Sequence, residues 1–376
     1  MGYVAVKGGE GAIAHAEQFL RAERTGGSDE PLRPEQIRDQ LYLAVDRIMG
    51  EGSLYAPELA ALAFKQAAGD TLEAAFILRA YRTTLPRAGY SEPIRTEQMR
   101  VIRRISAAFK EIPGGQILGP TPDYTLRLLD FELRDESRAG VQAALHSYLT
   151  DIQGLAPLPE RFPKVVEMLR REGLLVGRGP AAADAPREIF DVTRDALRFP
   201  APRSARLQTL ARGETGGLLA LAYSNMRGYG SVHPVIGELR VGYLPVRVKN
   251  PLSGVVETLG EIKATEAEVI ARMEAAEGPA RFTLGYGLCF GHNETKAIAM
   301  AVLDRAMAAD EPASPSEDPE FVLTHIDGIE AMGFCNHYKL PHYVTFQSDL
   351  DRLRQIQSQG RPDGGGPPTD GTEAPA

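Results

Sequence analysis

Phe282-Thr-Leu-Gly-Tyr-Gly-Leu-Cys-Phe290-Gly-His-Asn-Glu294 is the stretch that decides the fold class. Phe282 to Phe290 alternates as a buried strand does, Gly291 breaks the run, and Asn293 can cap a helix from Glu294 to Ala309. A strand that feeds a helix directly places sheet and helix side by side in the second half of the chain. Such a junction can hold phosphate on free N–H groups and the helix dipole. It can equally be a plain capped helix with Lys296 at the surface.

Upstream, Leu218 to Tyr223, Glu238 to Val248 and Val255 to Lys263 read as strands among glycines. The first third is different. After a short strand at Tyr3 to Val6, helical spacing predicts Ala12 to Arg24, then a helix from Pro34 carrying Ile37, Leu41, Val45 and Ile48, stopped by Gly50 and Gly52. Pro57 to Ala68 follows, and Asp70 can cap the next helix, with Glu73 three residues on. Thr96 to Ile112 reads as one more helix, whose Arg100, Arg103, Arg104 and Lys110 suggest a solvated face or a subunit or phosphate contact. Ser348 to Gln357 can close the fold as a helix.

The fold class is therefore α+β, with a helical N-terminal region (1–112), a mixed strand/helix domain (113–357) and a disordered tail (358–376). Pro113-Gly114-Gly115 marks the boundary, and a flexible insertion is expected near 177–190.

The chain has 376 residues, 43% hydrophobic and 24% charged, with a formal net charge of -8, which argues against nonspecific nucleic-acid binding. No apolar run is long enough to cross a membrane, and Met1 to Lys7 lacks signal-peptide character. Two cysteines, Cys289 and Cys335, make no disulfide framework, so a reducing, cytoplasmic setting is expected. They also cannot hold an iron–sulfur cluster within one chain, and no P-loop motif is present.

Besides the strand-to-helix junction, three segments could carry chemistry. In Gly333 to Val344, His337 and His342 lie five residues apart with Pro341 before the second. Proline makes a shared helical face improbable. An extended or turning backbone could still aim both imidazoles at a zinc, iron or nickel ion. They could also be ordinary polar residues beside an aromatic strand. Arg227-Gly-Tyr-Gly230 with His233 and Pro234 mixes glycines with a cation and an imidazole, suited to phosphate or to a plain turn. Glu238 and Arg240 follow it on a strand. In a turn-rich stretch, Asp123, or Asp130 shortly after it, could stabilise positive charge or activate a nucleophile, and Asp123 could also cap a helix.

Taken together these blocks resemble the I-subunit family of the bacterial carbon–phosphorus lyase core complex. The resemblance is carried by Leu43-Ala-Val-Asp-Arg47, Leu78-Arg-Ala-Tyr-Arg-Thr-Thr84, Ile112-Pro-Gly-Gly-Gln116, Asp123-Tyr-Thr125, Arg227-Gly-Tyr-Gly230 and Lys339-Leu-Pro-His-Tyr-Val344. It implies a phosphonate-utilisation subunit working with the G, H, J and L subunits. The assembly would displace the purine of ATP or GTP with methylphosphonate, giving ribose 1-methylphosphonate 5-triphosphate, and the subunit alone would act as a nucleosidase. The family's paired histidines match His337 and His342, implying a divalent metal, zinc in the first instance, at a subunit interface. For a reaction through an oxocarbenium-like state, Asp123 and Glu238 are the carboxylate candidates. Arg227, His233 and Arg240 are candidates for triphosphate or phosphonate contacts. A noncatalytic scaffold that lends two histidines to a shared site is the other reading.

Overall fold

The structure is a computed structural model that describes residues 9–26, 30–153, 159, 161–176, 190–229, 233–273 and 279–359. The expected strand at Tyr3 to Val6, the insertion at 177–189 and the tail from 360 lie outside the described residues. The chain divides into two compact units, Arg24–Ile329 and a smaller one formed by Met1–Glu23 with Glu330–Ala376.

The larger unit begins with helices α2 (Pro34–Gln40), α3 (Tyr42–Gly52), α4 (Pro57–Gln66) and α5 (Thr71–Thr83). They pack on Ile37, Val45, Ile48, Ala60, Ala74 and Leu78. Asp70 caps α5 as its sequence suggests, accepting from the N–H groups of Leu72 (2.9 Å) and Glu73 (3.1 Å). The helix expected from Pro34 breaks at Leu41, whose backbone is non-helical at φ -113° and ψ 36°. α3 ends at Gly52, as the sequence suggests, with Ser53 as its C-cap, while Gly50 lies inside the helix, and both glycines permit close packing. A Cβ on Gly52 would sit 3.0 Å from Leu78 Cδ2, and one on Gly50 would sit 3.4 Å from Lys296 Nζ.

A four-stranded antiparallel sheet runs in the order β1 (Arg100–Ile105), β2 (Val235–Lys249), β3 (Val256–Met273) and β4 (Arg281–Phe290). With the helices it makes the fold α+β. Here α8 (Arg203–Arg212), α9 (Thr215–Ser224) and α10 (Glu294–Ala306) pack with Leu239, Ala267 and Cys289 on one sheet face. The glycines of the opening stretch explain that contact. A Cβ on Gly285 would lie 2.0 Å from the Ala301 carbonyl, and one on Gly287 would lie 2.1 Å from that of Ala297. Only a strand without side chains there admits α10. The opposite face carries Glu238, Arg240, Glu266, Glu268 and Tyr286, and α7 (Val165–Arg171) packs Val166 and Leu169 against Ile270.

Two expectations fail. The basic helix over Thr96 to Ile112 is a short 3-10 turn at Thr96–Gln98 followed by β1, and Arg103 and Arg104 are fully buried. Their charge is matched by acids inside the fold, so it does not mark a solvated face. The strand expected at Leu218 to Tyr223 is helix α9, whose N-terminus Glu214 caps by accepting from Gly216 and Gly217 at 2.7 Å each.

Between residues 118 and 153 the chain forms an arm. It contains a 3-10 turn at Phe131–Asp135 and helix α6 (Arg138–Asp151), neither with a buried residue. The smaller unit holds α1 (Glu10–Glu23) and α13 (Tyr343–Gln359), and α12 (Gly328–His337) runs into it in sequence. His337 thus ends a helix and Tyr343 begins one, where the sequence suggested a strand.

Candidate functional site

The inner face of the sheet is charged, and its charges are matched. Register places Arg240 beside Glu266 and Glu238 beside Glu268. Arg104 Nε meets Glu238 Oε1 at 2.6 Å, and its other nitrogens reach the carbonyls of Pro113, Gly115 and Pro163 at 2.7 to 2.9 Å. The second Glu238 oxygen accepts from Val165 N at 3.2 Å. Arg240 pairs with Glu266, which also accepts from Lys164 Nζ (2.8 Å) and Tyr286 Oη (2.9 Å). Burial raises the Glu266 pKa, but Arg240 and Lys164 outweigh it and hold the carboxyl well below its usual range. Glu268 goes the other way. Burial, reinforced by Glu266 and Glu238, pushes its carboxyl up despite Lys164. Glu238 and Arg240 are 2% and 1% exposed, so both are committed to this network.

A second cluster surrounds the N-terminus of α10. Arg103, at the sheet's other face, pairs with Glu294 (2.7 Å) and with Asp123. His292 Nε2 lies 2.7 Å from the same Glu294 oxygen. Burial raises the Glu294 pKa, while hydrogen bonds from His292 and Arg103 bring it below its ordinary value. Asp46, from α3, accepts from His292 N (2.9 Å) and pairs with Lys263 Nζ (2.8 Å). The junction depends on Gly291, which adopts φ +75°, and a Cβ there would fall 2.3 Å from Asp46 Cβ. The N–H groups just before the helix are taken, that of His292 by Asp46 and that of Asn293 by the Thr265 hydroxyl (2.9 Å), and Glu294 sets a carboxylate in the first turn, an arrangement that suits a capped helix. Lys296 is not at the surface. It is fully buried, burial lowers its pKa, and its ammonium has no hydrogen-bond partner among the described residues. Cys289 nearby is also buried, its thiol pushed up to about 12, so it remains protonated at neutral pH.

Asp123 differs from the other sequence candidates in the larger unit. Its side chain is 40% exposed while it holds the buried Arg103. Arg227 lies in a π-helical turn, Asn225–Tyr229, and is exposed, as is His233. No described contact joins either to Asp123, Glu238 or Arg240.

In the smaller unit His337 and His342 stand with ring centroids 5.5 Å apart. Each Nδ1 faces a main-chain carbonyl, that of Phe334 for His337 and that of Leu340 (2.6 Å) for His342. A carbonyl only accepts, so Nδ1 is the donor in each ring, and in the neutral tautomer this leaves Nε2 as the nitrogen able to bind a metal. This donor set suits half of a metal site. Among the described residues no group of three or more His, Cys, Asp or Glu could hold a metal.

Sequence reasoning missed Arg103, Arg104, Asp46, Glu266, Glu268 and Glu294. The signal available was Val101-Ile-Arg-Arg-Ile105, a β-branched run that favours strand over helix, and the alternation of Glu266 and Glu268 within a long strand.

Residues 2–360 match the family described as bacterial phosphonate metabolism protein (PhnI). The HtxH protein of Stutzerimonas stutzeri is 57% identical over 367 residues, covering 96% of this chain and 97% of that one. Two proteins named alpha-D-ribose 1-methylphosphonate 5-triphosphate synthase subunit PhnI are each 47% identical over 363 residues, which is 95% of this chain. They come from Rhizobium meliloti (95% of its length) and Escherichia coli (99%).

Proposed function

The chain belongs to the PhnI family of bacterial phosphonate metabolism proteins, and on that premise we propose that it is a subunit of a cytoplasmic ribose 1-methylphosphonate 5-triphosphate synthase. The observation that carries this reading is the 47% identity with two synthase subunits over nearly their whole length. In the reaction the C1′–N9 bond of ATP or GTP breaks, the purine leaves with a proton, and a methylphosphonate oxygen bonds to C1′. Water in place of methylphosphonate makes the reaction a nucleosidase. The substrates' triphosphate is a handle, in keeping with the absence of a P-loop. The partners are the G, H, J and L subunits of the carbon–phosphorus lyase complex.

Asp123 is the carboxylate we assign to the developing sugar cation, because it is half exposed and already neighbours a cation. Glu238 and Arg240 support the sheet beneath, and we assign Arg227 and His233 to phosphate contacts at the surface. His337 and His342 would hold a divalent metal, zinc in the first instance, through Nε2, with other donors from a neighbouring subunit or ligand. Bound there, the metal would supply Lewis-acid polarisation. A scaffold reading is favoured by one observation, the exposed apolar arm over 118–153.

Phosphorus NMR of the reconstituted complex with ATP and methylphosphonate tests the proposal. A new phosphonate ester resonance appearing together with free adenine is expected, and Asp123→Asn should lower its rate by roughly 10²-fold or more with thermal melting unchanged. Full activity in that variant would remove Asp123 from the reaction.

A further inference from the structure

The Leu78–Thr84 motif ends α5 beside an open depression of about 500 Å³, whose wall carries Arg82, Arg87 and Arg194. A second cavity of about 340 Å³ shares Ser53 and Thr193 with the first. The inner chamber is mostly apolar, walled by Ile94, Leu244, Ile262 and Leu288, with Arg212 and Gln208 as polar points. Both volumes fall in the range of roughly 300 to 1,000 Å³ used for small organic ligands. No carboxylate lines either chamber.

The charges around the outer chamber do not balance. Asp191 pairs with Arg87 at 2.8 Å, and Asp327 serves both Arg79 (2.7 Å) and Arg212 (3.5 Å). The guanidinium groups of Arg82 and Arg194 have no ion pair or hydrogen bond among the described residues. Burial, together with Arg212 and Arg79, pulls the Arg82 pKa below its ordinary value. Such a cluster is destabilised by self-repulsion, and an anion seated on it relieves that cost. Ser53, on the shared wall, ends α3 in the left-handed conformation (φ 55°) usual for a helix C-terminus.

A basic mouth joined to an apolar interior calls for a ligand with a polyphosphate at one end and a flat, weakly polar head at the other. We infer that this two-chamber cleft binds an organic polyphosphate of the nucleoside triphosphate class, its phosphates on Arg82, Arg87 and Arg194 and its heterocycle among Leu244, Ile262 and Leu288. Guanidinium forks match phosphate oxygens in pairs, and the sheet residues offer an apolar surface for the ring. Because no carboxylate or histidine lines the cleft, it holds its ligand without reacting with it. It is thus a different place from the one assigned to Asp123.

Isothermal titration of the full chain with ATP, and separately with inorganic tripolyphosphate, tests the inference. Arg82→Gln with Arg87→Gln should weaken both ligands about tenfold or more, and added salt should weaken both. Ala211→Trp, filling the inner chamber, should weaken ATP several-fold and leave tripolyphosphate unchanged. If the double variant melts poorly, exposed Arg194→Gln alone should still weaken both ligands. ATP affinity unchanged in folded variants, or an Ala211→Trp effect equal for both ligands, would overturn the cleft as the site. Binding is read without purine release, so a chain inactive as a nucleosidase leaves this test intact.

Discussion

The inner face of the sheet and the arm over 118–153 invert the usual rule of what is inside. The sheet buries Arg104, Glu238, Arg240, Glu266 and Glu268 at 4% exposure or less, whereas the arm leaves Leu126, Leu128 and Leu129 at 77% or more. Buried charges are tolerated where each meets a partner of opposite sign and its remaining donors find carbonyls. Arg104 does so with one carboxylate and three carbonyls. Exposed leucines in a row are unusual on a monomer and mark an interaction surface. The difference separates what this chain completes by itself from what it leaves for partners, in keeping with relatives named as subunits.

The strongest way to break that contrast is Arg104→Met. Removing one member of a buried pair leaves Glu238 uncompensated and should cost about 3–5 kcal/mol in chemical denaturation. Arg104→Met with Glu238→Met should recover much of the loss. A single variant as stable as the parent would mean that the network is dispensable.

The pH dependence of stability sharpens the comparison next. The Glu268 carboxyl is raised to about 7 in the fold, by burial first and then by Glu266 and Glu238, against an unfolded value of roughly 4.3. The folded state therefore holds a proton that the unfolded state releases. Stability from this group is present below the unfolded value and is lost as pH rises toward about 7. Glu268→Gln should flatten that slope between these limits, and an unaltered slope would assign it to other groups. The smallest effect belongs to the arm. Leu128→Glu with Leu129→Glu should shift stability by no more than about 0.5 kcal/mol while abolishing association with partner subunits in gel filtration. A large loss of stability would show that the arm folds as part of the core.

This contrast also explains what could be read from the sequence. The helical character of residues 34 to 83, the Asp70 cap and the strand-to-helix turn at Gly291 were legible because local periodicity and capping decide them. Arg103 and Arg104 were misread as a solvated helical face because their partners, Glu294 and Glu238, lie far along the chain. Nothing local announces that a charge will be buried. The His337–His342 pair was legible as a pair, but its helix-end setting was not, since Pro341 reads as a break without saying what flanks it. The arm was missed for the opposite reason. Its apolar residues look like core, and only the fold shows them uncovered.

The most direct test of the account is chromatographic detection of free purine from ATP and GTP incubated with the purified, folded chain alone. The account predicts adenine and guanine, released with equimolar ribose triphosphate. No purine from the folded chain, alone or assembled with its partner subunits, would contradict it and leave the scaffold reading.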